Sequence, residues 1–162
     1  MISYSDQTLS RYLEKLSARE PVPGGGSAAA VVASMGAALL AMAARYSLGK
    51  GKSQFIETEI TQVIERSDAA RCEFLELSGR DAQVYLDMVR TRKTGDKVAM
   101  AQANAEASRV PGRIIRLCQE CLALGAILYR EGNPHLLSDV KAAEAFLNAA
   151  IQSAGFMQED NA

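Results

Sequence analysis

The sequence has one histidine, three cysteines and four prolines, and its formal net charge is −1. Each shortage removes a class of answers. One histidine, and no second cysteine pair to join Cys118 and Cys121, leaves no ligand set for a metal centre. An odd cysteine number with no targeting signal indicates reduced thiols in a cytoplasm, not a disulfide framework. A charge near zero offers no electrostatic footprint for nucleic acid or an anionic membrane. Alternating runs of β-branched residues are missing too, and with them any strand pattern. An all-α domain is the class that remains.

Charge is also missing, completely, from residues 24–44. That stretch is long enough to cross a bilayer. It consists mostly of Ala, Gly and Ser, however, whose transfer from water contributes little, and a polar segment precedes it. It is expected to be the buried central helix of a soluble bundle, apolar on every face. Pro21 and Pro23 hold Val22 extended before it. Gly24, Gly25 and Gly26 form a flexible turn, and Ser27 stands where the N-cap of a helix over 28–44 should stand. Gly49 is the expected stop.

The remaining pattern predicts five or six helices around this one. Residues 6–18 place Leu9, Tyr12, Leu13 and Leu16 on one face, with Ser5 or Asp6 as cap. A third helix starts near Ser53 and buries Ile56, Ile60, Val63, Ile64, Phe74 and Leu77, with Gly79 a candidate kink. Residues 91–96 break it. A fourth starts near Asp96, is bent or restarted by Pro111, and then carries Ile114, Cys118, Cys121, Leu122, Gly125 and Leu128. After residues 131–134, a stop-and-turn signal, Ser138 or Asp139 caps a fifth, with Val140, Ala143, Leu147, Ala150, Ile151 and Ala154 inward. No repeat or linker interrupts residues 1–162, which are expected to form a single domain.

Asp81 is the chemically informative residue. Its helical neighbours are Phe74, Leu77, Tyr85 and Met88, so a carboxylate interrupts an apolar stripe. Burial raises a carboxylate's pKa towards neutrality, as a general acid or base requires. A structural carboxylate paired with an arginine fits the same position. In the catalytic reading, Tyr85, Met88 and the glycine turn line its pocket. Gly24, Gly25, Gly26 and Ser27 open a helix, where free amides and the positive dipole end suit an anion or a carbonyl; a plain tight turn explains them equally. No strand precedes this turn, and it lacks the Gly-Lys-Ser/Thr ending of a phosphate loop. Cys118 and Cys121 suit small core positions. His135 suits a surface loop, and a Ser–His–Asp triad would need Ser27 or Ser138 to approach it.

Four segments together resemble the formimino-tetrahydrofolate cyclodeaminase and methenyl-tetrahydrofolate cyclohydrolase family. They are EPVPGGGSAAAVVASMGAALLAMAARYSLGK, RDAQVY, ASRVPGRIIRLC and GNPHLLSDVKAAEAF, in that order, and the resemblance spans residues 5–155. It implies an all-helical fold, usually homodimeric, a folate substrate, and no metal or redox cofactor. It also implies that Asp81 is the proton acceptor and that Gly24, Gly25, Gly26 and Ser27 lie near folate. By the same resemblance Lys50, Asn133 and Asp139 match family positions around the substrate. The chain departs from the pattern at Arg45 and His135, where Asn is frequent, and at its C-terminal end, which is shorter. Part of the pocket is then either absent or supplied by a second chain. Two functions follow as expectations: a one-carbon folate enzyme, either cyclohydrolase or cyclodeaminase, or a non-catalytic folate-binding or helical assembly protein on the same scaffold.

Overall fold

A computed structural model describes residues 2–49 and 51–160. It contains α1 (Leu9–Ser17), α2 (Gly25–Arg45), α3 (Gln54–Thr94), α4 (Lys97–Glu131), a 3-10 turn (Pro134–Leu136) and α5 (Leu137–Asp160). No strand occurs among the described residues. The all-α expectation holds, with α2 at the centre of the bundle.

Alanine explains why α2 takes that place. Ala30, Ala33, Ala37 and Ala44 are fully buried, and such small side chains let α3 and α5 approach its axis closely. Gly36 takes this furthest. A β-carbon there would sit 2.9 Å from Leu147 Cγ and 3.1 Å from the Ala143 carbonyl oxygen. Side chains added at such a contact overpack the core, at about 1–3 kcal/mol. The helix is long and apolar enough to cross a membrane, but most of it is buried against the other helices.

Ion pairs fix how the long helices lie on one another. Arg113 of α4 grips Glu73 of α3 with two bonds of 2.5 and 2.8 Å, and holds that carboxyl below its usual range. Arg80 of α3 pairs with Glu106 of α4. Cys118 and Cys121 are core residues, and burial pushes both thiols up to about 12.

Ser53 caps α3 and Asp96 caps α4 at the expected starts of those helices, while other helix ends differ from expectation, each for a local reason. Thr8, not Ser5 or Asp6, caps α1, and its hydroxyl accepts from the Arg11 amide. On that helix only Tyr12 is buried, while Leu9 and Leu13 are about half exposed. The α2 cap is Gly24, so Ser27 lies inside the first turn and its hydroxyl points into the core. That helix ends at Arg45, where the Ser47 hydroxyl donates to the Ala43 carbonyl; Gly49 follows with φ +66. Helix α3 runs unbroken through Gly79, which is glycine because the Ile2 carbonyl rests where a β-carbon would be. Helix α4 likewise continues through Pro111, which is buried in the core and does not restart it. Ser138 and Asp139 lie within α5. The cap there is Asn133, which begins the 3-10 turn and accepts from the His135 amide.

Candidate functional site

The N-terminus of α2 meets the middle of α3 beside a cavity of about 370 Å³. Gly24, Gly25 and Gly26 form one wall. Asp81, Val84, Tyr85, Met88 and Arg92 of α3 form another. Ala107 and Val110 of α4, Met157 of α5, and Pro21 and Val22 from the preceding loop close it. Sequence reasoning brought the glycines, Asp81, Tyr85 and Met88 together. It missed Arg92 and Met157, which helical periodicity leaves as ordinary surface and flank positions.

The local geometry requires glycine. A β-carbon at Gly26 would collide with the Asp81 carboxylate, and one at Gly25 would meet the Met157 thioether at 3.3 Å. Gly26 is therefore bare because a carboxylate lies directly on its backbone, whereas a β-carbon at Gly24 would meet nothing within 4 Å. The Asp81 carboxylate lies against Gly26 in the first turn of α2, and the Ser27 amide there, one of the donors that no carbonyl of the helix itself can reach, favours its charged form. The carboxylate thus serves as a cap delivered from a different helix.

Two effects oppose each other at Asp81. Burial disfavours the charged form, and the Ser27 amide favours it. Burial is the larger, and the carboxyl is pushed up from 3.8 to about 6. Among the described residues no lysine or arginine pairs with it. The structural alternative, an arginine-paired carboxylate, is therefore not what the geometry holds. A carboxylate that titrates near neutrality, beside a cavity and a helix N-terminus, can take a proton from one atom and return it to another.

Ser27 is also held from behind. Its hydroxyl lies 2.7 Å from the Ser78 hydroxyl and 3.1 Å from that of Tyr12. Both serines are completely buried, and Tyr12 is nearly so. Tyr12 in turn packs edge-on against Tyr4. Tyr85 differs in being 42% exposed, so it forms the rim of the cavity.

Asn133 and Asp139 are placed elsewhere. The Asn133 side chain donates to the Tyr46 carbonyl, and its amide donates to the Ser47 hydroxyl, just beyond the C-terminal end of α2. Asp139 follows in the first turn of α5. A helix of 21 residues spans roughly 30 Å, so within one chain these residues do not reach Asp81. Lys50 lies outside the described residues. His135 is exposed, and no cluster of metal-ligating side chains occurs among the described residues.

Comparison with known proteins gives one consistent result. Residues 8–162 match the family model described as formiminotransferase-cyclodeaminase. The chain is 29% identical to a methenyltetrahydrofolate cyclohydrolase of Methylorubrum extorquens, over 92% of this chain and 76% of that protein. It is 26% identical to a formimidoyltransferase-cyclodeaminase of Mus musculus, over 95% of this chain but 30% of the longer mouse protein. The fold superposes on a formiminotetrahydrofolate cyclodeaminase from Thermotoga maritima with a TM-score of 0.93 at 26% identity, covering 96% of this chain and 78% of that one.

Proposed function

The chain belongs to the formiminotransferase-cyclodeaminase family, and from that premise we propose that it is a methenyltetrahydrofolate cyclohydrolase with Asp81 as general base. The observation that carries the reading is the unpaired Asp81 carboxylate, raised to about 6 and seated on the glycine turn of a cavity.

In this mechanism water adds to the bridging carbon of a 5,10-methenyl folate. Asp81 takes one proton from the attacking water as the C–O bond forms. The C–N5 bond then breaks and Asp81 returns that proton to N5. The hydroxyl of the adduct loses its own proton as the formyl C=O forms, leaving 10-formyl-tetrahydrofolate and one released proton. Positioning and a single acid–base group suffice for such a step. The first amides of α2, at Gly25 and Gly26, have no helical acceptor and suit the oxygen that gains charge. Tyr85 at the rim offers a flat apolar face to an aromatic part of the substrate. Arg92 offers a cation to the substrate's carboxylates.

The same cavity and base suit cyclodeamination, in which N10 attacks a formimino carbon on N5 and ammonia leaves. The family's relatives carry both names. The methenyl chromophore separates them: its loss on adding protein supports hydrolysis, and its appearance from the formimino substrate supports cyclodeamination. Folate binding without either change supports a non-catalytic role.

We also propose that two chains pair through the uncovered face of α2. Met35 there is 39% exposed, and Val32, Leu39 and Met42 are partly so, beside the exposed Phe146 and Phe156 of α5. An antiparallel pairing along this stripe sets the Asn133 end of one copy beside the Gly25 end of the other. Asn133 and Asp139 then reach a substrate only across the pair. Light scattering is expected to give a dimer at micromolar concentration; a monomer with full turnover excludes this arrangement.

A further inference from the structure

The base in the proposed mechanism is seated on the first turn of α2, where its carboxylate lies against Gly26 and the Ser27 amide favours its charged form. That amide belongs to a residue whose hydroxyl is tied to two other helices, to Ser78 on α3 at 2.7 Å and to Tyr12 on α1 at 3.1 Å. The spacing has a consequence. Ser78 lies one turn before Asp81 on the same helix, so Ser27 bridges two points of α3, by its hydroxyl to Ser78 and by its amide to Asp81. Tyr12 holds Ser27 from the opposite side, and its ring is fixed by the edge contact with Tyr4 at 5.3 Å between centroids. Three buried hydroxyls in mutual contact are costly unless each proton has an acceptor. A plain helix start needs none of them, since Gly24 caps α2 without a side chain.

We propose that Tyr12 and Ser78 are positioning residues that hold the Ser27 amide on the Asp81 carboxylate and thereby set the pH range in which Asp81 is ionised. The proposal rests on Asp81 as the base for its kinetic consequence, but not for its structural one. A hydrogen bond to the charged form of a carboxyl lowers its pKa. If the amide drifts away, burial acts unopposed and the midpoint rises. Other groups facing Asp81 are Tyr4 and Tyr12 from the N-terminal segment and Tyr85 and Arg92 from α3. The phenols of Tyr4 and Tyr12 are themselves raised, chiefly by burial, so neither titrates near neutrality. Helices α4 and α5 present Ala107, Val110 and Met157, which carry no charge.

Tyr12→Phe and Ser78→Ala test this. Each leaves the Ser27 hydroxyl one partner, and Tyr12→Phe keeps the ring against Tyr4, so both variants are expected to fold. Tyr4→Phe is the control, because it alters the same aromatic pair without touching the hydroxyl cluster. The first readout is the titration of the Asp81 carboxyl carbon by NMR in the protein without substrate. Tyr12→Phe and Ser78→Ala are expected to raise its midpoint by about half a unit to one unit, and Tyr4→Phe to leave it in place. The second readout is the pH profile of kcat/KM, whose acidic limb should move up with the midpoint. Turnover then falls several-fold below about pH 7 and returns to the wild-type level above about pH 8.5. A structural defect lowers activity equally at every pH. An unmoved Asp81 midpoint in both hydroxyl variants overturns the proposal. A midpoint that moves while Asp81→Asn retains turnover leaves the positioning intact and refutes Asp81 as the base, so the two failures are distinguishable.

Discussion

The two ends of α2 are built on opposite principles. At the C-terminal end Arg45 pairs with Asp68 of α3 at 2.5 Å, Arg71 approaches the same carboxylate, and Ser47 and Asn133 tie the next turn to the start of the 3-10 segment. Arg45, Asp68 and Arg71 are paired with one another there and stand near water. At the N-terminal end Asp81, thirteen residues further along the same α3, lies on the first turn of α2, and among the described residues no cation pairs with it. One aspartate is a clamp and the other is held ready to exchange a proton. Residue type does not distinguish them; what surrounds each carboxylate does. Asp68 faces two arginines on a half-exposed surface, whereas Asp81 faces bare glycine backbone and a cavity whose cation, Arg92, does not pair with it.

Gly26→Ala attacks the comparison at its tightest point. The added methyl collides with the Asp81 carboxylate, so either the carboxylate turns away or α2 shifts. Turnover is expected to fall by at least 100-fold, and stability by about 1–3 kcal/mol as for other overpacked sites. Kinetics and urea unfolding on the same preparation check both. An alanine variant with normal turnover would show that the contact between turn and carboxylate does not matter to function.

A pH series sharpens the contrast. The folded state raises Asp81 from 3.8 to about 6, so between those values it binds the proton more tightly than the unfolded chain does. Its contribution to stability is complete below about pH 4 and is lost as pH rises through about 6. Asp81→Asn, neutral throughout, should therefore gain on wild type over that interval, by an amount on the order of 1–3 kcal/mol, and hold the gain at higher pH. Urea midpoints at several pH values give the curve. A variant that loses stability above pH 6 would mean that the carboxylate is needed as an anion by the fold.

Smaller effects are expected at the other end. Asp68→Asn breaks a partly exposed ion pair, which costs about 0–1 kcal/mol. Ser47→Ala removes the bonds to the Ala43 carbonyl and from the Asn133 amide, at about 1 kcal/mol. Turnover should remain within about two-fold of wild type in both, because neither residue lines the cavity. A large catalytic loss from either would erase the distinction between the two ends.

Much of this was legible in the sequence, and the reasons differ by residue. The central helix showed itself because an uncharged alanine-rich run has few ways to be satisfied outside a packed core. Asp81 stood out because Phe74, Leu77 and Met88 share its face and all three are buried. Caps were less legible. Ser5, Asp6, Ser27, Ser138 and Asp139 all have cap chemistry, and only tertiary packing decides that Thr8, Gly24 and Asn133 take the role. Ser27 is the clearest instance: its hydroxyl is drawn inward by Ser78, 51 residues away, and Tyr12, 15 residues away. Periodicity on one helix cannot show such a bond. Met157 and Arg92 escaped for the same reason, since they reach the cavity only through the placement of whole helices.

The central claim is that Asp81 is the proton acceptor of the site. The most direct measurement is the initial rate of methenyl-chromophore loss for Asp81→Asn against wild type, at saturating 5,10-methenyl-tetrahydrofolate and pH 7.5, with folate affinity and melting temperature recorded on the same samples. The variant keeps the shape of the side chain and can still accept from the Ser27 amide. A fall in turnover of ~10²–10⁴-fold is expected, with affinity little changed and melting temperature equal or higher. Turnover close to wild type in a folded Asp81→Asn protein would contradict the account.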